Sequence, residues 1–284
     1  MKLFNNMRAV LKLTFGLLMV MLTITAEAQL KGSDSLFAFR EFTKLGQIYK
    51  QLPVQLSIQI HNSANPITAV SDTMKSDLDL YYGKQNFYMY SEGLEEIVND
   101  SLLIMVNNQT KEILIYPNDK QTKKNIEKSV SMFMPDSSIE IWARNYTSGI
   151  QDLGKNVKKI EIQSRENVSG TKFPKELITI TYHQQPYEPL EFIRTKVNLL
   201  FADSTIYAGL QKNIAYAGKL VSSLSEKGNF FFLAKELTTT YSFKSINYNI
   251  QISPVNEQDR IVRGENGNYL PAKGFEEYVL TKEF

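Results

Sequence analysis

Acid pairs are the first groups in this 284-residue sequence whose spacing could support chemistry. Asp77 and Asp79 form an Asp-x-Asp pair of the kind that holds metal–nucleotide complexes in some transferases. On a strand, both carboxylates point away from Leu78 and Leu80, towards the side that water solvates. Glu95-Glu96 and Glu276-Glu277 are adjacent, and strand neighbours face opposite ways, so neither pair makes a general acid/base couple. His61 is placed at a strand end and His183 at a turn. The sequence has no Gly-x-Ser-x-Gly elbow, phosphate-binding loop, dinucleotide fingerprint or His-Glu-x-x-His. Gly264-x-x-Gly267 falls in a polar turn. There is no cysteine, which excludes disulfides, thiolate metal sites and cysteine nucleophiles. The expectation is a protein that is not an enzyme and takes no metal or other cofactor.

Charge narrows the partners. Three of the 32 bases and one of the 30 acids fall within residues 1–28, so the remainder is formally neutral. A neutral chain is not expected to bind nucleic acid. Those first residues read as an export signal. Lys2, Arg8 and Lys12 precede an apolar run from Leu13 to Ile24, which is short for a bilayer span, and Ala26-Glu27-Ala28 supplies a small-x-small cleavage pattern. Cleavage is expected near Ala28, leaving one domain over residues 29–284 with no transmembrane segment. Without cysteine, the reading is a bacterial, periplasmic protein.

The elements behind these side chains are mostly strands. Leu36, Phe39, Phe42, Leu45 and Tyr49 recur at three- and four-residue steps, predicting an amphipathic helix from Asp34 to Gln51, before Pro53. Beyond it the period becomes two. Leu56/Ile58/Ile60 and Leu78/Leu80/Tyr82 alternate with polar residues, and Asn86–Ser91, Leu94–Asn99, Leu102–Asn107 and Glu112–Tyr116 are separated by turn residues, an antiparallel meander. A helical interlude follows, with Ile126, Val130 and Phe133 on one short helix. A second is capped by Ser137-x-x-Glu140 and carries Ile139, Trp142, Tyr146 and Ile150 on one stripe. Strands resume at Val157–Gln163, Leu177–Tyr182, Leu190–Phe201, Asn229–Lys235 and Thr238–Ile252. Ala202–Leu210 reads as strand and Asn213–Ser225 as helix or irregular chain. Glu276–Glu283 reads as a last strand or a helix turn.

Several strands are apolar on both faces, as in Phe87-Tyr88-Met89-Tyr90, Leu102–Val106 and Phe230–Leu233. A sheet with one wet face alternates more strictly, so something must cover the second face. The helices around residues 34–51 and 120–152 are the expected cover, and a cavity between them and the sheet would take a hydrophobic guest. Alternation alone selects Leu78, Leu80, Phe87, Met89, Leu114 and Tyr116 as the inward, ligand-binding candidates.

One stretch resembles a known family. Tyr81-Tyr82-Gly83-Lys84-x-x-Phe87, Glu96-Ile97-Val98-Asn99-Asp100, Leu103–Asn107 and Ile113-Leu114-Ile115-Tyr116 are similar to a run in the periplasmic lipoprotein carriers LolA and LolB and their superfamily. The order of elements is similar too. The resemblance implies an α+β, mainly β fold: a curved antiparallel half-barrel with helices packed on its concave face and a cavity for acyl chains. The function it implies is a non-catalytic carrier of a lipid or lipoprotein acyl chain. The alternative is a structural or assembly factor of the cell envelope that docks a protein partner through a sheet edge or exposed aromatics.

Overall fold

The computed structural model describes residues 36–46, 51–118, 139–213, 216, 218–225, 228–250 and 252–282. The export segment and the helix expected at Ile126–Phe133 lie outside them. The described chain is mainly β. After helix α1 (residues 36–46) come β1 (Val54–Asn65), β2 (Lys75–Tyr82), β3 (Phe87–Ser91), β4 (Leu94–Val98), β5 (Leu102–Asn107) and β6 (Glu112–Pro117). Helix α2 (Ile139–Asn145) leads into β7 (Tyr146–Gly154), β8 (Val157–Ser164), β9 (Glu176–Gln184) and the long β10 (Tyr187–Ala202). Helix α3 (Ser204–Gln211), β11 (Leu220–Ser225) and the 20-residue β12 (Gly228–Asn247) follow. The chain closes with β13 (Ile261–Arg263), β14 (Tyr269–Pro271) and β15 (Val279–Lys282).

Thirteen strands share one sheet in the order β15-β6-β5-β4-β3-β2-β1-β12-β10-β9-β8-β7, with β11 paired to β12 beside this path. All pairings are antiparallel except that of β15 with β6. The sheet is open, with β7 and β15 at its edges.

Each face has its own core. On the first, Ala38, Phe39, Phe42 and Leu45 of α1 are fully buried against Leu56 and Ile58 of β1, Ile160 and Ile162 of β8, and Ile178, Ile180 and Tyr182 of β9. The helix thus spans both halves of the sheet, and its apolar stripe follows the spacing read from sequence. Trp142 of α2 lies 6.3 Å from Phe42 and stacks 4.5 Å from Tyr146. On the second face, Tyr81, Tyr88, Ile97, Ile104, Val106, Ile113 and Ile115 form a separate cluster with Ile261, Tyr269, Phe275 and Tyr278.

The cover of that second face corrects the sequence reading. Helices α1 and α2 both pack on the first face, and it is residues 250–282 that cover the meander's other side. Ile246 and Tyr248 belong to the first core, whereas Ile250 packs into the second, so the chain changes face between them. Strand β12 therefore ends at Asn247, where the Asn247 Oδ1 accepts the Asn249 backbone N–H, and does not continue to Ile252. Arg260 fastens this C-terminal strap. Its Nη2 and Nε donate to the Glu95 Oε2 at 2.7 and 2.9 Å, and its guanidinium lies 4.6 Å from the Phe275 ring centre. Asn108 donates to the other Glu95 oxygen and accepts from the Tyr278 hydroxyl.

Three further assignments change. Tyr146 and Ile150 leave the predicted helix for β7: Thr147, Ser148 and Gly149 are weak helix formers, and pairing with β8 along Tyr146–Gly154 decides the segment. Residues 204–211 are helical, because Asp203 accepts the N–H groups of Thr205 and Ile206 at 2.8 Å. His61 and His183 sit within β1 and β9, not at a strand end and a turn.

Replacing Phe39 by alanine should lower unfolding free energy by about 3–5 kcal/mol in urea denaturation, since the ring is fully enclosed. Arg260→Ala should cost about 3 kcal/mol by leaving Glu95 buried and unpaired. Limited proteolysis should then cut residues 250–282 first; a variant as stable and as resistant as the parent would disprove the strap's anchoring.

Candidate functional site

The six residues selected by alternation lie on the first face. Register aligns Leu56, Leu80, Met89, Glu96, Met105 and Leu114 in one row across β1–β6. The adjacent row is Val54, Tyr82, Phe87, Val98, Leu103 and Tyr116. Leu78 follows Ile58 in the next row. Their burial differs along the sheet. Leu80 and Phe87 are core residues, each 5% exposed. Leu78, Met89, Leu114 and Tyr116 are half-buried, as is Leu103, and Met105 is 43% exposed. The face is thus closed at Leu80 and Phe87 and opens towards β5 and β6.

Glu96 sits within this apolar row between Met89 and Met105, a residue that alternation had paired with Glu95 only to dismiss. Burial pushes its carboxyl above the ordinary value of 4.5. Its neighbour Glu95, on the opposite face, holds the C-terminal strap. The two carboxylates are separated by the sheet, as strand geometry requires.

A second polar group is built into the interface of α1. Glu41 accepts from Lys44 at 2.8 Å, from the Tyr187 hydroxyl at 2.9 Å and from the Tyr182 hydroxyl at 3.4 Å. Burial pushes its carboxyl up, but these hydrogen bonds and the Lys44 charge outweigh it and hold the group below its usual value. Burial and the Glu41 carboxylate push both tyrosines upward. This cluster orients α1 on β9 and β10, and alternation had no means of finding it because Glu41 lies on a helix that reads as amphipathic.

Three clefts stand out among the described residues, the largest of them polar and the smallest mainly apolar. The largest, of about 550 Å³, lies at the β2–β3 and β4–β5 turns, among Lys84, Asn86, Asn99, Asp100, Glu257 and Arg263. A smaller cleft of about 40 Å³ shares Lys84, Asn86 and Asn99 but backs onto Tyr82, Phe87 and Val98. Asn118 lines it, and its Oδ1 is buried without a hydrogen-bond partner while its Nδ2 donates to the Asn99 carbonyl. The third, about 420 Å³, lies by Tyr146, Lys175, Glu176 and Lys196. The Glu176 carboxylate accepts from Arg194 and from Tyr146, whose hydroxyl is pushed up to about 12 by burial and that carboxylate. Among the described residues no three His, Asp or Glu side chains converge as a metal-ligand set, and no helix is long and apolar enough to cross a membrane.

Because Glu96 binds its proton more tightly when folded, stability falls as pH rises from about 4.5 through its raised value, and is flat beyond. Glu96→Gln removes that loss. The variant should be the more stable protein at neutral pH and equal to the parent near pH 4, as read by thermal unfolding across pH; a constant difference would show that Glu96 is already charged at no cost.

No protein-family model matches the chain, nor does any curated protein. Solved structures do match. One is the crystal structure of a LolA superfamily protein from Nitrosomonas europaea, 8% identical, with 74% of this chain and 92% of that one covered at a TM-score of 0.26. Another is a domain from Vibrio parahaemolyticus described as an outer membrane lipoprotein-sorting protein, also 8% identical, covering 76% and 95% at the same TM-score. Both likenesses are distant.

Proposed function

We propose that the protein is a non-catalytic carrier, exported to the periplasm, that holds a lipid or lipoprotein acyl chain against the first face of its sheet. The observation that carries this reading is the gradient of cover on that face. Leu80 and Phe87 are buried in the core that α1 joins, while Met89, Leu103, Leu114 and Tyr116 keep part of their surface open and Met105 keeps 43%. An acyl chain laid along β3–β6 would bury those groups. It would contribute about 0.8 kcal/mol per methylene removed from water, with no polar chemistry needed. Methionines suit such a surface because their unbranched side chains repack around guests of different shape. The α1 interface itself is filled, so the binding region lies beside that helix and not beneath it.

The test uses protein purified from a bacterial periplasm. Native mass spectrometry should show a bound mass that extracts into organic solvent as lipid or fatty acid. Met89→Asp and Leu114→Asp change half-exposed positions, so the fold should persist by circular dichroism while the bound mass is lost. A parent protein that stays ligand-free after incubation with oleate would end the carrier reading.

A further inference from the structure

The two longest strands project past their neighbours. Strand β9 pairs with β10 only as far as Lys196, and β1 pairs with β12 only as far as Glu236. Beyond that line residues 197–202 of β10 pair with 231–236 of β12, for roughly 20 Å at strand rise, and 228–233 of β12 pair with β11. Helix α3 and β11 complete the projection. Apolar side chains emerge on both of its sides. Phe201 is 67% exposed and meets Phe232 edge-on at 6.1 Å, Tyr207 lies 4.5 Å from Phe231, and Ile206 is 54% exposed on a helix with no buried residue.

The β1–β2 connection is held to the same end. Lys235 Nζ donates to both Asp72 carboxylate oxygens, at 2.7 and 2.8 Å, and to the Thr68 hydroxyl at 2.6 Å. Asp72 also accepts the backbone N–H groups of Thr68 and Ala69. This knot fixes a loop whose Val70 is 91% and Ile67 64% exposed. Lys235 is three residues from Phe232, so the loop and the projection lie roughly 10 Å apart.

Few charges lie on this tip. Residues 66–74, 199–211 and 228–235 contain only Asp72, Asp203 and Lys235, and the sequence between β11 and β12 adds Glu226 and Lys227; Lys219, just before β11, is buried. Asp72 and Lys235 neutralise each other, and Asp203 caps α3. The first cations at the border, Lys75, Lys196 and Lys212, are exposed. An apolar point with aromatic rings and few charges, bordered by lysines, complements hydrocarbon with anionic headgroups above it. A protein partner would need a groove shaped to two separate projections, whereas lipid adapts to any convex apolar shape.

We infer that this tip, formed by the β1–β2 loop and the β10–α3–β12 projection, docks the protein on a lipid surface. The inference does not rest on the carrier reading, since it uses the end of the sheet and not its first face. Flotation of the full chain with vesicles of phosphatidylcholine, and of phosphatidylcholine mixed with phosphatidylglycerol, reads it directly. The parent should float with both and better with the anionic mixture. Val70→Asp combined with Phe201→Asp should lower the bound fraction about tenfold or more, and Ile206→Asp should lower it again. All three positions are exposed, so circular dichroism should be unchanged, and Met89→Asp should still float. A parent that floats with neither vesicle overturns the inference. So does a double variant that floats as the parent does, or a parent dimer in sedimentation velocity that the double variant abolishes without any vesicle binding.

Discussion

A strand with apolar side chains on both faces cannot leave either one in water, and β2–β6 are made of such strands. Tyr81, Tyr88, Ile97, Ile104 and Ile113 point one way while Leu80, Phe87, Val98 and Leu103 point the other. Two separate covers are therefore required. The N-terminal helix supplies one and the last thirty or so described residues supply the second, so the meander is held between segments from opposite ends of the sequence. Everything else in the architecture follows from where these covers stop. On the β12–β10 half, the second face carries Ser242, Thr240 and Thr238 and has no need of one.

Burial of apolar surface is non-directional, so it does not say where along the sheet each cover should sit. Buried ionic and hydroxyl groups do. Glu95 with Arg260 locates the C-terminal strap, Glu41 with Tyr182 and Tyr187 locates α1, and Asp72 with Lys235 locates the β1–β2 loop. The carboxylate is buried in each case. Such groups contribute little net stability compared with apolar replacements, but misplacing the segment strands a charge. They act as locks on position while the apolar cores supply the driving force.

Local patterning made the meander legible. Strands β3–β6 fall within a residue of the period-two segments, and α1 shows the stripe expected of it, because in both cases the buried face is a simple function of residue number. The six candidate residues share a face for the same reason. What patterning missed is non-local. The continuous alternation Ile246-Tyr248-Ile250-Ile252 looks like one strand, yet the chain crosses from one core to the other within it. The Glu95–Arg260 pair spans 165 residues and leaves no trace in either neighbourhood. Tyr146 and Ile150 fit a helical stripe with Trp142, and only the partner strand β8 decides otherwise.

The two ends of the sheet differ in chemistry, and that gives the molecule a direction. At the β2–β3 and β4–β5 turns the surface is polar and cleft, lined by Lys84, Asn86, Asn99 and Asp100. At the other end it is apolar and convex, with Val70 and Phe201 foremost. Between them runs the first face, closed at Leu80 and Phe87 and open towards β6, with the desolvated Glu96 midway. A guest on that face would lie across strands whose opposite ends meet unlike surroundings, so its two ends are not equivalent. An apolar tip on such a scaffold sets the sheet's long strands at a steep angle to whatever surface it enters, because β10 and β12 project furthest. The polar turns are then held away from that surface, and the open face near β6 is turned sideways to it, not pressed against it.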